Sequence, residues 1–423
     1  MELDPAPDSL IQEAIAVYKG LDRDDRSSQL MRGMISSIAG TPSAEAILDS
    51  IADDPELRGD LLVPLSTAAT SSIRDFDRVV DLVKAGELPP EVVDHFSVGR
   101  ISHKFDANQF KETLVSLVEA NPDAAPVVLR LLSMFYYRDP ERFGQVRDFV
   151  VSLVLMPEVI AHINGTMIGH SWKEAVQAIL RTPPKGFVSD LATTLADHAD
   201  SNITIPYNDS GASPVLRDLL QRFPKESWAV LETRLRDEEG NSNFTIVDLL
   251  CRDGRMDNSG VPLWELQPSD FKEWAAQNVD LMPYFLRHMP LYVIERSDPA
   301  IPDPATQNSA KSPQEEVPIK LHDPTDAPDL GDRYVWHPLT LVVVELCGKD
   351  DLLGALSSNI FSFSSTGSRV PYLEKRRQLM TDLTKSKVPD LKLIAQKICD
   401  DLKLEIQREQ KNDAQRAAGI HTW

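Results

Sequence analysis

The fold class is decided by two segments: residues 213–240, SPVLRDLLQRFPKESWAVLETRLRDEEG, and residues 249–291, LLCRDGRMDNSGVPLWELQPSDFKEWAAQNVDLMPYFLRHMPL. In both segments the apolar residues recur at three- and four-residue spacing, which is typical of amphipathic α-helices. Prolines separate these helical stretches at points where a helix would begin or end. The apolar stripes are too wide for isolated helices in water, so we predict short helices packed side by side.

Local signals predict where individual helices begin. Ser213 before Pro214 predicts an N-cap with proline at the first helical position. Pro268, Ser269 and Asp270 are overlapping start signals for another helix, and Asp270 with Glu273 fits a capping box there. In the first half of the chain, Asp106 is expected to cap a helix in the same way. Each signal supplies an acceptor for backbone N–H groups that the first helical turn leaves without a partner.

Similar short helical stretches run through the first 200 residues, whereas strand-like alternation of Val, Ile and Thr is almost absent. Helix succession at roughly 35–45 residues per helix pair is typical of HEAT-type repeats. We therefore predict an all-α fold, an α-solenoid of HEAT-like antiparallel helix pairs with a proline-rich loop insertion. The spacing is irregular, so the prediction depends on the succession of helices and not on a strict repeat.

Composition divides the chain into five segments. Residues 297–333 contain seven prolines and few apolar residues, which predicts a flexible linker or loop, since such a segment cannot bury enough surface to offset its ordering entropy. After it, the run WHPLTLVVVELCG could form a strand or a helix, and Pro338 with Gly348 favours a helix. The predicted segments are N-terminal repeats at 1–200, central repeats at 212–295, the linker at 297–333, a C-terminal cap at 334–411 and a tail at 412–423.

The charge distribution is uneven. The 423 residues carry a formal net charge of −21, which argues against a general nucleic-acid binder. Residues 369–411, however, contain eleven Lys/Arg against seven Asp/Glu, a net of +4. We take a solvated helix face as one interpretation and a patch for an acidic partner as the other, the partner being a protein, a nucleic acid or the acidic part of this chain. The candidate patch consists of Arg369, Lys375, Arg376, Arg377, Lys385 and Lys387.

Motifs of catalysis and cofactor binding are missing from the sequence. It contains no GxGxxG, GxxxxGK[ST], HExxH, GxSxG or CxxC. The two histidine pairs at eight-residue spacing lack carboxylates at useful helical offsets, and the segment at 253–260 lacks the ligand pattern of an EF-hand. The tryptophans at 228, 264 and 274 are better explained as core residues than as a partner platform. We expect no metal, no cofactor and a non-enzymatic role.

The sequence also suggests a compartment. Three widely spaced cysteines predict reduced thiols. The first ten residues, MELDPAPDSL, lack the basic and apolar regions of a signal peptide. The most apolar window, at 146–156, is interrupted by charges and is shorter than the ~20 residues that span a bilayer. We expect a cytoplasmic protein without membrane association.

Several motifs in the second half resemble the HEAT-like helical-repeat tail of large, mostly uncharacterised bacterial proteins, some of them suspected of antiviral defence. The motifs are Phe223-Pro224, Trp228, Leu249-Leu250, 263–266, Trp274, Trp336-His337-Pro338-Leu339, Ser357-Ser358-Asn359, Gly367-Ser368, Val370-Pro371-Tyr372 and the helix at 391–406. The resemblance covers about residues 213–411. Two tryptophans usual in the family are absent, one from the Ser/Gly loop and one where Ile394 stands. The resemblance brings no catalytic residues.

Together these observations predict a non-enzymatic α-solenoid, a scaffold or sensor that binds another macromolecule. A protein is the expected partner, and the resemblance implies a bacterial antiviral defence assembly as the setting. The alternative is a HEAT-like protein that binds or processes nucleic acid through its basic C-terminal helices, although the net charge disfavours nucleic acid.

Overall fold

The computed structural model of the chain describes residues 7–22, 24, 26–69, 72–163, 167–201, 212–236, 243–251, 260–295, 333–361 and 368–418. It is about 81% helical with almost no sheet, so the fold is all-α, as predicted. The chain divides into two compact units, Met1–His198 with Asn208–Val215 and Ala199–Tyr207 with Leu216–Trp423. None of the described helices is both long enough and apolar enough to cross a membrane.

The helices of unit 1 follow one another with short connections. They are α1 Pro7–Gly20, α2 Gln29–Ser37, α3 Pro42–Asp53, α4 Pro55–Leu57, α5 Val63–Ala69, α6 Ile73–Lys84, α7 Ala107–Ala120, α8 Ala125–Phe135, α9 Pro140–Val154, α10 Pro157–Ile160, α11 Met167–Leu180 and α12 Phe187–Ser201. A π-helical turn at Arg58–Leu62 joins α4 to α5, and 3₁₀ segments lie at Pro90–Lys104 and Pro122–Ala124. The three last residues of α12 belong to unit 2.

Unit 2 contains the remaining helices and one strand pair. The helices are α13 Ala212–Arg222, α14 Pro224–Arg234, α15 Phe244–Cys251, α16 Pro268–Gln277, α17 Met282–His288, α18 Pro338–Leu346, α19 Lys349–Phe361, α20 Val370–Leu383 and α21 Pro389–Ala417. The strands are β1 Tyr292–Glu295 and β2 Arg333–Trp336, and 3₁₀ segments lie at Pro262–Glu265 and Val279–Leu281. The first four residues of α13 belong to unit 1.

Prolines begin many of these helices, as the sequence predicted, because a missing N–H costs nothing in the first turn. Asp106 caps α7 through its Oδ1, which accepts hydrogen bonds from the backbone N–H groups of Asn108 and Gln109 at 3.0 and 3.1 Å. The run after Trp336 is helical, beginning at Pro338, so its helical interpretation is confirmed.

Two predicted helix caps are wrong. Helix α13 begins at Ala212, so Ser213 lies inside the first turn and is not the N-cap. Helix α16 begins at Pro268 after Gln267, without a side-chain capping bond, so the Asp270–Glu273 capping box is not formed. In α13 the helix starts one residue before Ser213, and in α16 it starts at Pro268, two residues before Asp270.

An aromatic cluster forms part of the core of unit 1. It comprises Phe76, Phe96, Phe105, Phe110 and Phe135, and neighbouring ring centroids lie 5.0–5.7 Å apart. All five rings are at most 5% exposed. Full burial of one such side chain stabilises a fold by roughly 1.5–3 kcal/mol, so this cluster holds α6, α7 and α8 together with the 3₁₀ segment.

The strand pair of unit 2 was missed by the sequence analysis. β1 and β2 pair antiparallel, with Tyr292 opposite Trp336 and Ile294 opposite Tyr334. The rings of Tyr292 and Tyr334 stack with centroids 4.0 Å apart. The indole N–H of Trp336 donates to the carbonyl of Leu379 at 2.9 Å, which joins β2 to α20. Two four-residue strands are too short for a recognisable alternating pattern.

The five predicted segments match the two units only in part. The predicted central repeats at 212–295 and cap at 334–411 belong to unit 2, except for the first four residues of α13. Between residues 198 and 216 the chain passes from unit 1 to unit 2, near the predicted boundary at 200. The linker predicted at 297–333 lies outside the described residues except for Arg333. The last helix continues to Ala417, so the predicted start of the tail at 412 falls within α21.

Candidate interaction surface

The six basic residues selected from the sequence lie on or next to a helical hairpin formed by α20 and α21. α20 buries Leu373, Leu379, Met380 and Leu383. α21 buries Leu391, Ile394, Ala395, Ile398, Leu402 and Ile406. These two apolar faces pack against each other, and α21 also contacts α19. The hairpin therefore fixes which cations face the protein and which face solvent.

Arg376 is directed into unit 2. Its Nη1 donates to the carbonyl oxygens of Asn359, at 3.3 Å, and of Ile360. Both carbonyls belong to the last turn of α19, where the helix leaves acceptors without intrahelical partners. The guanidinium carbon also lies 6.0 Å from the centroid of the Tyr292 ring, within range of a cation–π interaction. Arg376 thus caps α19 and ties α20 to the strand pair.

Arg369 also has a structural position. It is the residue that precedes α20, and its Nη1 lies 3.8 Å from a carboxylate oxygen of Glu405 and 3.7 Å from one of Glu409. Both acids belong to α21, so these ion pairs link the two helices of the hairpin. Lys375 is half-buried on α20.

The other three residues of the candidate patch face solvent. Arg377 is exposed on α20, and Lys385 and Lys387 are exposed in the turn before α21. Lys385 forms an ion pair with Asp382 at 3.2 Å, whereas the side chains of Arg377 and Lys387 form no ion pair with any described residue. We call Arg377, Lys385 and Lys387 the hairpin cations. They are the part of the predicted patch that a partner can reach.

The histidine pairs do not form a metal site in the described part of the chain. His103 Nε2 lies 3.0 Å from the carbonyl of Met134, and His162 Nδ1 lies 2.8 Å from the carbonyl of Glu158. His170 Nε2 lies 3.3 Å from a Glu174 carboxylate oxygen, one helical turn away on α11. No group of three or more His, Cys, Asp or Glu side chains within the described ranges is arranged to hold a metal ion. The calcium-like segment at 253–260 lies outside these ranges apart from Gly260.

The tryptophans at 228, 264 and 274 are packing residues. Trp228 is 6% exposed, and its ring centroid lies 5.4 Å from that of Trp274 in an edge-on arrangement. Trp264 stacks on the imidazole of His337, with ring centroids 4.3 Å apart. Burial lowers the pKa of His337 to about 4, and its Nδ1 accepts a hydrogen bond from the backbone N–H of Leu339 at 3.3 Å. The imidazole is therefore a neutral cap of α18.

The cysteines show no sign of nucleophilic activation. Cys251 and Cys347 are buried, Cys399 is half-buried, and all three are free thiols. Burial raises the pKa of Cys251 and of Cys399, and it raises the pKa of Cys347 to about 11. A reactive cysteine requires a lowered thiol pKa, so these side chains behave as small apolar groups.

A cavity of about 310 Å³ opens in unit 1 between the starts of α7 and α9. The residues that line it include Asp106, Asp139, Glu141 and Arg142. The Oδ1 atoms of Asp106 and Asp139 already accept N–H groups of their own helices. Arg142 donates to the carbonyl of His103 at 2.9 Å and covers the ring of Phe135. Asp106, Asp139 and Arg142 therefore have structural roles at the ends of these helices.

No known protein family, curated protein or solved structure matches this chain. The resemblance to HEAT-like bacterial tails therefore stays a prediction from the sequence motifs.

Proposed function

We propose that this protein is a non-enzymatic helical scaffold or sensor that binds an acidic surface of another protein through the hairpin cations. The observation that carries the proposal is the exposure of Arg377, Lys385 and Lys387, two of them without an ion-pair partner among the described residues, on a chain of net charge −21. Of the other cations in the predicted patch, Arg376 caps α19, Arg369 links α20 to α21, and Lys375 is half-buried. The charges left facing solvent suit a partner that supplies carboxylates.

The arrangement of helices belongs to the same proposal. We infer that the succession of helices in each unit is of the HEAT-like type and that the protein acts in a bacterial antiviral defence assembly. The support is the run of short, proline-initiated helices together with the sequence motifs quoted above. Such arrays bind their partners through extended surfaces and not through reaction centres.

Nucleic acid is the alternative partner, and the charges favour it less. The three hairpin cations alone can neutralise about three phosphates, whereas proteins that bind DNA through its backbone make roughly 6–10 such contacts. The remainder of the molecule is strongly acidic and would repel a polyanion at low salt. A protein partner requires fewer charge contacts because apolar and hydrogen-bonding contacts supply most of its affinity.

Two charge-matched variants test the proposal. The first is Arg377→Glu, Lys385→Glu, Lys387→Glu. The control, Lys185→Glu, Lys225→Glu, Lys272→Glu, changes the net charge by the same amount at exposed lysines elsewhere. Tagged full-length protein is purified from native cells with and without phage challenge, and each recovered protein is retested as a purified pair at about 0.15 M salt. We expect a partner with an acidic surface that binds the wild type and the control but loses at least about ten-fold in affinity with the first variant.

The outcomes are distinct. Equal partner binding by all three proteins, or no partner in any condition, contradicts the proposal. Binding of single-stranded or duplex oligonucleotides at about 0.05 M salt that is lost only in the first variant would establish the nucleic-acid alternative instead.

A further inference from the structure

Helix α21 has a solvent face that no described residue covers. The helix spans 29 residues, Pro389–Ala417, and its buried residues lie on the side that meets α20 and α19. On the opposite side, Leu393 is 66% and Leu404 is 55% exposed. Each leucine leaves apolar surface in contact with water, which a partner with a matching apolar surface would remove.

The exposed face has a symmetric order. Leu393, Lys397, Asp400 and Leu404 follow one another at offsets of four, three and four residues, so they form one stripe along the helix. All four are exposed. At 1.5 Å per residue the two leucines lie about 16 Å apart along the axis. Read from either end, the stripe is leucine, charge, charge, leucine, with the two charges of opposite sign.

The two charges are not paired with each other. Lys397 forms no ion pair with any described residue, although Asp400 lies only three residues away on the same face. Asp400 accepts one hydrogen bond, from the side-chain amide of Gln396 at 3.3 Å. The ammonium and the carboxylate are therefore available to a partner that presents the opposite charges at the matching spacing.

We propose that α21 binds a second copy of itself, antiparallel and related by a two-fold axis between positions 398 and 399. In that arrangement Leu393 meets the partner's Leu404, and Lys397 meets the partner's Asp400. The two-fold repeats both contacts, so four leucines and two ion pairs form one self-complementary surface. The single stripe is small, so the dimer is weak and forms with rising concentration.

The dimer extends the proposed function without depending on it. A pair of copies carries two sets of hairpin cations, and a repetitive acidic partner would bind the pair more tightly than a single copy through effective concentration. Helix α21 uses its inner face for the fold and its outer face for the second copy.

A charge exchange tests the pairing. In Lys397→Asp the face carries two aspartates, and in Asp400→Lys it carries two lysines, so like charges meet in either homodimer. Mixing the two variants restores two opposite-charge contacts. Sedimentation velocity on full-length protein at about 0.15 M salt measures each sample over a range of concentrations. Lys272→Asp, at an exposed lysine of α16, is the control.

We expect wild type and Lys272→Asp to dimerise alike, each single variant to weaken the dimer by at least about ten-fold, and the equimolar mixture to recover the wild-type midpoint within a few-fold. The double variant Lys397→Asp, Asp400→Lys should also recover it. A mixture that associates no better than its two components would overturn the proposal. So would a wild-type protein that stays monomeric at all concentrations.

Discussion

Neighbouring arginines on α20 are expected to have separate roles, and substituting each in turn tests this. Arg376→Ala removes a guanidinium that binds two carbonyls of the last turn of α19 and lies over Tyr292. Arg377→Ala removes an exposed guanidinium without an ion pair to any described residue. The first change should destabilise unit 2, and the second should weaken partner binding.

The magnitude follows from the contacts. Hydrogen bonds from a charged donor contribute about 1.5–3 kcal/mol each, and the two carbonyls share one nitrogen of Arg376, so we count them as one bond. A cation–π contact near the limit of its range adds about 0.5 kcal/mol. We therefore expect Arg376→Ala to lower the free energy of unfolding by about 2–3.5 kcal/mol. An exposed substitution such as Arg377→Ala stays within about 0.5 kcal/mol.

Urea unfolding followed by tryptophan fluorescence measures the difference, because Trp228, Trp264, Trp274 and Trp336 all belong to unit 2. A loss of about 2–3.5 kcal/mol corresponds to a midpoint lower by roughly 1 M urea. Arg376→Lys keeps the charge but loses the planar guanidinium, so its urea midpoint should lie between those of Arg376→Ala and Arg377→Ala. Equal midpoints for the two alanine variants would refute the assignment of Arg376 to helix capping. A loss of partner binding in folded Arg376→Ala, equal to that in Arg377→Ala, would refute the division of roles.

Two further predictions concern other parts of the chain. Arg78 is 7% exposed and contacts Glu45, Asp49 and the buried Asp75, so Arg78→Met should destabilise α3 and α6 by about 3–5 kcal/mol. Arg74→Met removes a 63% exposed arginine that pairs with Glu45 and Asp49, and it should lower the free energy of unfolding by under about 1 kcal/mol. Hydrogen exchange of the backbone amides in α3 and α6 measures the loss in each variant. Burial lowers the pKa of His337 to about 4, below its value of about 6.5 in an unfolded chain, so protonation favours unfolding. Stability should therefore fall between pH 6.5 and 4, and His337→Asn, which keeps a capping acceptor, should reduce that slope in thermal unfolding.

Much of the fold could be predicted from the sequence because its signals are local. Pro224, Pro338 and Pro389 mark helix starts since proline is favoured in the first turn. Asp106 caps α7 because its carboxylate reaches N–H groups two and three residues ahead. These interactions join residues within one turn, so a pattern in the sequence is enough to find them.

Interactions between distant residues could not be predicted in the same way. Tyr292 pairs with Trp336, 44 positions away, and neither strand is long enough to show alternation. The basic run at 375–377 has the same composition whichever way its side chains point. Arg376 is a capping residue and Arg377 an exposed cation because α19 ends beside Arg376, and only the tertiary packing places it there.

At physiological salt, both proposed interactions should depend more on the local charges than on the net charge. At about 0.15 M salt the Debye length is about 8 Å, so a partner in contact with the hairpin interacts mainly with Arg377, Lys385 and Lys387 and only weakly with the rest of a chain of net charge −21. At about 0.01 M salt it is about 30 Å, and the whole acidic molecule then repels both an acidic partner and a second copy. Both proposed interactions should therefore be weaker at very low salt than at physiological salt, the opposite of what a simple basic patch on a basic protein would show. A binding assay at the lowest salt is usually the most sensitive for charged contacts, but here it would underestimate the affinity of both proposed interactions.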